Sequence, residues 1–174
     1  FFVGEWHILD IGLAEDFIET EPTNTFIIGR EIVKRILQKR HKFSHKGDFG
    51  HALIIAGDST KMGAGLLSSK ACIKSGAGLV TLHHPKNQGF AVNAHMPEVM
   101  LSADESELAF TTLPSLDAFN CIAVGPGLGQ LKETQKALKL LIQQADVPIV
   151  FDADALNILS NNKTWLAFLR PHSI

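Results

Sequence analysis

Cysteine is scarce in this chain of 174 residues: Cys72 and Cys121 stand far apart in apolar contexts, with no Cys-x-x-Cys spacing. Two buried free thiols are expected, as suits a cytoplasmic protein. No apolar run approaches the roughly 20 residues of a membrane span, so no membrane partner is expected. Nor is there an excess of one charge: 16 basic against 18 acidic side chains leave a net charge of −2, and no nucleic-acid partner is expected. Glu5, Asp10, Glu15 and Asp16 interrupt the N-terminal segment, and no basic region leads it, so it does not read as a signal peptide. What remains is the composition of an ordinary globular domain, long enough to bury a core.

The organising stretch is Gly50–Leu82, GHALIIAGDSTKMGAGLLSSKACIKSGAGLVTL. Ala52–Ala56 is an apolar run of buried-strand length. Gly57, Gly63 and Gly65 break it, and Leu66, Leu67, Ser69, Lys70, Ile73 and Lys74 then give a helix with one apolar and one polar side. Gly76 is a suitable left-handed stop, and Leu79–Leu82 is the next buried strand. A right-handed crossover makes the two strands parallel.

A loop that leaves a parallel strand and opens a helix is where such sheets bind ligands, with unpaired N–H groups at the helix start. Gly63, Ala64 and Gly65 carry almost no side chain there. They either let a ligand reach the backbone or only let the helix pack closely on the sheet. A P-loop needs lysine after its second glycine, but Lys61 precedes Gly63 and Ala64 follows it. The dinucleotide fingerprint is nearly met by Gly63, Gly65 and Ser68, yet the second strand ends in His83 and His84 rather than an acidic residue. These adjacent histidines point to opposite sides of a strand, so they cannot readily share a metal; no zinc site is expected.

Elsewhere, Glu5–Ile11 reads as a strand, followed by a polar tail and a linker at 21–24, and Arg30–Arg40 as an amphipathic helix with a basic, solvated face. Lys46–Gly50 is a tight turn whose Lys46 could reach a phosphate or serve structure alone. A short helix is expected over Asn87–His95, a strand at Val99–Leu101, and a solvated acidic turn at Asp104–Glu107. Strand Phe119–Val124 leads into a second side-chain-free loop, Gly125-Pro126-Gly127-Leu128-Gly129, which should lie beside Gly63–Gly65 at the carboxyl edge of one sheet. Helix Glu133–Gln144 and strand Pro148–Phe151 follow. Asp152 and Asp154 share one side if that strand continues and could hold magnesium beside a nucleotide; alternatively Asp154 caps a helix starting at Ala155. Asn157 could point to the site from that helix. Lys163–Leu169 reads as a last helix, after which a new strand would begin at Pro171–Ile174. The fold class is α/β, a mostly parallel sheet flanked by helices.

KGDFGHALIIAGDSTKMGAG and SGAGLVT, with the later VGPGLG (Val124–Gly129) and FDADALN (Phe151–Asn157), resemble in order the ADP/ATP-dependent NAD(P)H-hydrate dehydratase domain. This is the YjeF-type C-terminal domain of the ribokinase-like superfamily, and the likeness covers roughly residues 44–174. The resemblance implies a partial ribokinase-like fold over 25–174, preceded at 1–24 by the tail of an NAD(P)HX epimerase domain. It implies dehydration of NADHX or NADPHX at the expense of ADP or ATP, with Mg2+. Substrate contacts carried over by motif fall on Gly63, Ala64, Gly125, Gly127, Gly129, Asp154 and Asn157.

In the family a G-T-G-D-type motif supplies the catalytic aspartate. No G-x-G-D occurs here, so the resemblance places the catalytic group beyond Ile174 and the chain is expected to be inactive alone. Exposed sheet edges would then invite homo-oligomers. The alternatives are a small-molecule kinase of the same superfamily and a non-catalytic dinucleotide-binding or interaction module. The chain departs from the family's Gly-Ser at Gly57-Asp58-Ser59, and Asp58 would repel an anionic substrate unless it points away or binds a cation.

Overall fold

A computed structural model of the chain describes residues 4, 7, 9–25, 27–37 and 39–174. It divides into two compact units, Phe1–Lys42 and Phe43–Ile174.

The first unit contains helices α1 (Glu15–Thr20) and α2 (Arg30–Ile36). The strand expected at Glu5–Ile11 falls partly outside the described residues; those described within it have no strand assignment. The expected polar tail is the short helix α1. Helix α2 ends earlier than the periodicity predicts, with Leu37 already extended. Its apolar residues Ile32, Val33, Ile36 and Leu37 are all exposed, so packing does not hold a further turn.

The second unit carries a five-stranded, wholly parallel sheet: β1 (His51–Ile55), β2 (Leu79–His84), β3 (Met100–Ala103), β4 (Cys121–Val124) and β5 (Ile149–Phe151). The strand order is β3-β2-β1-β4-β5. Its helices are α3 (Met62–Ser75), α4 (Gly89–His95), α5 (Lys132–Gln144) and α6 (Ala153–Asn161). Because side chains alternate along a strand, β1 feeds two cores. Leu53 and Ile55 join Ile122, Val124, Leu138, Leu141, Ile142 and Ile158 on one side, and Ile54 joins Met62, Val80, Leu82 and Val92 on the other. Burial on both faces is why β1 reads as a continuous apolar run rather than an alternating one.

Several boundaries differ by one to three residues from the sequence reading. Strand β2 continues through His83 and His84, and α6 starts two residues earlier than expected. Gly76 stops α3 at φ 112°, and its amide donates to Ile73. The last expected helix is a 3-10 turn, Lys163–Phe168. Ile174 runs beside β5, accepting from the Phe151 amide at 2.7 Å and donating to Ile149 at 3.0 Å, but residues 171–174 form a turn with no strand assignment.

Cys72 is half-buried but Cys121 is exposed, against the expectation of two buried thiols. Cys121 is the first residue of β4, and only the side chains deeper in that strand, Ile122 and Val124, are enclosed by the core.

Candidate functional site

The chain leaves β1 for β2 and β3 on one side, then returns to lay β4 and β5 on the other. The loops after β1 and β4 therefore diverge from neighbouring strands, a topological switch point whose crevice lies outside the carboxyl ends. Both glycine loops leave from there. The Gly57 amide donates to Pro126 at 2.8 Å, and the Gly125 amide to Ile55 at 3.1 Å.

The glycines differ in why they are glycines. A Cβ on Gly63 would meet no atom within 4 Å, so its face is open. A Cβ on Gly65 would fall 2.3 Å from Met62 Cε and 2.9 Å from the Ala56 carbonyl, so Gly65 is a packing residue that seats α3 on the sheet. A Cβ on Gly127, at φ 65°, would come within 2.8 Å of Ala64 Cβ, so the two loops touch at these residues. A Cβ on Gly125, at φ 133°, would lie 1.8 Å from the Asp152 carbonyl oxygen, which fixes how closely the ends of β4 and β5 approach.

Asp154 sits in the first turn of α6 and accepts from the Gly129 amide at 2.8 Å. Asn157 Nδ2, one turn on, donates to it at 3.3 Å, and Gln130 Nε2 at 3.4 Å. Burial disfavours the charged carboxylate, but these donors and nearby Lys61 outweigh it and hold Asp154 below the usual carboxylate range. Asp154 is therefore not the helix cap the sequence allowed. Asp152 occupies that position without a side-chain hydrogen bond, while Asp154 clamps the second glycine loop. Ala153 between them adopts φ 46°, a left-handed conformation costly for a side-chain-bearing residue and common where sites are built. Gly63, Ala64, Gly125, Gly127, Gly129, Asp154 and Asn157 thus share one edge, from three successive strand ends.

Two residues of this edge were not singled out as contacts. Lys61 Nζ bonds Asp58 Oδ2 at 2.8 Å, while Asp58 Oδ1 accepts from the amides of Thr60 and Lys61 and from the Thr60 hydroxyl, each at 2.8 Å. Burial works against the charge on Asp58, but the Lys61 and Thr60 hydrogen bonds prevail and lower its pKa. The repulsion expected of Asp58 is thereby answered: Lys61 is its cation. An Asp followed two and three residues later by Thr and Lys is a legible turn signal. The further proximity of Lys61 to Asp154 depends on the tertiary fold.

The larger revision concerns Asp104, read as the start of a solvated turn. It is 1% exposed. Its carboxylate accepts from the Ser106, Thr111 and Thr112 amides, the Thr111 hydroxyl and His83 Nε2, at 2.6–3.0 Å. Burial opposes the charge, but these donors bring its pKa down to about 2. Burial also lowers the pKa of His83 against the pull of Asp104. A neutral ring with its proton on Nε2 fits both neighbours, donating to Asp104 and accepting from the Ser102 hydroxyl at Nδ1, 2.9 Å away.

The magnesium pair that the sequence allowed as one of two readings does not form on a strand face. Strand β5 ends at Phe151, so Asp152 and Asp154 do not share a continuing strand face. Both Asp154 oxygens already accept hydrogen bonds. Among the described residues no group of three or more His, Cys, Asp or Glu could hold a metal ion. His41 and His45 do stand at His-x-x-x-His spacing, which the exclusion of zinc passed over, but no helix spans them to bring them onto one face. No helix of the described residues is long and apolar enough to cross a membrane.

A parallel sheet flanked by helices, with its two glycine loops at the switch point, defines an α/β protein, and solved structures place it in the ribokinase-like class. It superposes on a ribokinase-like superfamily protein from Enterococcus faecalis with a TM-score of 0.69 and 25% identity, over 82% of this chain and 52% of that one. It also matches an ADP/ATP-dependent NAD(P)H-hydrate dehydratase from Bacillus subtilis, co-crystallised with ATP/Mg2+, with a TM-score of 0.62 and 32% identity over 72% of this chain and 45% of that one.

The NAD(P)H-hydrate dehydratase family model matches residues 52–173, and the chain belongs to that family. A bifunctional NAD(P)H-hydrate repair enzyme of Coxiella burnetii is 34% identical over 98% of this chain and 35% of its own length. An ADP-dependent (S)-NAD(P)H-hydrate dehydratase of Streptococcus thermophilus is 33% identical over 82% of this chain and 53% of its own length. The chain spans about a third to a half of the length of such relatives.

Proposed function

We propose that the protein to which this chain contributes is a nucleotide-dependent dehydratase of hydrated NADH and NADPH, and that the chain supplies the loops that hold the hydrated nucleotide. The observation that carries this is the junction of the two glycine loops at the switch point, closed by Gly57 to Pro126 and by Gly129 to Asp154. Gly63, Ala64, Gly125, Gly127, Gly129, Asp154 and Asn157 are the proposed substrate-binding residues. The open face at Gly63 and the uncapped start of α3 suit a phosphate-bearing ligand.

In this reading a phosphoryl group passes from ADP or ATP to the ring hydroxyl, whose proton goes to a base. Phosphate then leaves with the C–O electron pair, a neighbouring ring proton is lost, and the double bond of the dihydronicotinamide is restored. The chemistry demands positioning and charge stabilisation at the phosphoryl group. Asp154 is a poor choice of base, because its hydrogen bonds favour the form already ionised. Its role here is to fix the Gly129 loop. Magnesium belongs to the proposal only through the nucleotide, since Mg2+ commonly takes one or two carboxylates and completes its shell with phosphates and water.

Residues 1–24 are proposed as the tail of a preceding epimerase-like domain, supported by alignment of the bifunctional relative over 98% of the chain. The free thiols Cys72 and Cys121 suit a cytoplasmic setting.

The test incubates this chain, and a version extended through its downstream coding sequence, with NADHX and either ADP or ATP. Return of NADH absorbance supports the dehydratase. A phosphorylated product without NADH gives the site to a kinase. Nucleotide or NAD(P) binding without turnover by a folded extended chain gives it to a binding module.

A further inference from the structure

On the other flank of α5 lies a groove of about 310 Å3, lined by Lys132, Gln135, Lys136, Lys139 and Trp165. The three lysines recur at i, i+4 and i+7, so they form one stripe along the helix. Ala137, Leu138, Leu141 and Ile142 of the same helix face the core. Trp165 comes from the 3-10 turn Lys163–Phe168 and packs one side against that core, leaving the indole as an apolar wall of the groove. Lys139 Nζ lies 5.8 Å from the indole ring centre, within cation–π reach.

The charge of this groove is unbalanced. Among the described residues none of the three ammoniums has a carboxylate within ion-pair distance, although the chain as a whole is slightly acidic. Glu133 is the one acidic residue of α5 and stands beside the stripe rather than on it. Three like charges along roughly 10 Å of helix, at 1.5 Å per residue, repel one another and favour a polyanion. Phosphate alone would leave the indole without a role. Extended nucleic acid would need a longer basic track, and this groove has the volume for a single base.

We propose that Lys132, Lys136, Lys139 and Trp165 form a binding site for a nucleoside polyphosphate, with the base stacked on the indole and the phosphates along the ammonium stripe. Its residues are separate from those of the glycine-loop site, and the inference does not depend on the dehydratase reading. Stacking on an aromatic face tolerates any base, while the flexible lysine stems let Lys139 swing from the ring to a phosphate.

The chain has two tryptophans, Trp6 and Trp165, so Trp6→Phe leaves Trp165 as the sole indole reporter. Titrating that variant with ADP, adenosine or inorganic phosphate and following Trp165 fluorescence tests the site. The expected result is saturable quenching by ADP at least about fivefold tighter than by phosphate or adenosine, and its loss in a Lys132→Glu, Lys136→Glu, Lys139→Glu background. Absence of ADP quenching, equal affinity for phosphate and ADP, or quenching that survives the triple charge reversal would each overturn the proposal. Gly127→Val serves as a control, because it disturbs the glycine-loop site and should leave the Trp165 response unchanged.

Discussion

Replacing Asp104 tests whether one carboxylate pins the segment after β3 to the sheet. Its partners are three amides, one hydroxyl and the His83 ring, all at 3.0 Å or closer. Asp104→Ala leaves those donors facing a void. A buried donor without a partner costs about 1 to 3 kcal/mol, and breaking a buried charged network costs about 3 to 5. Not all five donors are fully enclosed, so the expected loss is about 3 to 4 kcal/mol. Asp104→Asn keeps the shape but turns an NH2 toward amide donors, and should cost about 2 kcal/mol. Urea unfolding of the wild type and both variants measures this, with an unchanged m value as the check that only stability moved.

The pH dependence supplies a second reading of the same group. The folded pKa of Asp104, about 2, lies below the reference 3.8. Its contribution is therefore complete above the unfolded value and is lost as pH falls through about 2; a difference of nearly two units corresponds to about 2 kcal/mol. His83 is also lowered, from 6.5, so its own loss of stability begins as pH falls below 6.5. Asp104→Asn should remove the decline below pH 3.8 and leave the one that begins near 6.5. A loss under about 1 kcal/mol for Asp104→Ala, or an unchanged acid limb in Asp104→Asn, refutes the argument.

Two site glycines should respond oppositely to alanine. Gly63→Ala should leave stability unchanged or raise it by up to about 1 kcal/mol through helix propensity, because no atom lies within 4 Å. Gly125→Ala should cost more than about 3 kcal/mol or prevent folding, since its Cβ would land 1.8 Å from the Asp152 carbonyl at φ 133°; thermal melts decide both. Asp154→Ala should destabilise by about 1 to 2 kcal/mol and speed amide exchange at Gly129, its donor at 2.8 Å. No change in Gly129 exchange would mean that the carboxylate does not hold the loop.

The Gly50–Leu82 unit was legible because its signals are local: an apolar run, a glycine break, a helical period and a glycine stop. The helix α2 was overextended for the opposite reason. Periodicity alone does not say whether an apolar face finds a partner, and Ile36 and Leu37 are exposed. Asp104 was misread because an acidic residue among Glu105 and Glu107 looks solvated. Its partners Thr111 and Thr112 are seven and eight residues on, and His83 is 21 residues back.

Local order in the chain determined the α/β class, the parallel βαβ unit, two side-chain-free loops and a set of motifs specific enough to indicate a family. Such features depend on residues a few positions apart, where sterics and period act directly. The tertiary structure decided which glycines are open and which are wedged, that Asp154 clamps Gly129 rather than capping its helix, and that Lys61 lies near Asp154. It also decided that three lysines of α5 line one groove with Trp165. Each is a contact between strand ends or neighbouring elements, set by sheet order and packing distance, which no local pattern encodes.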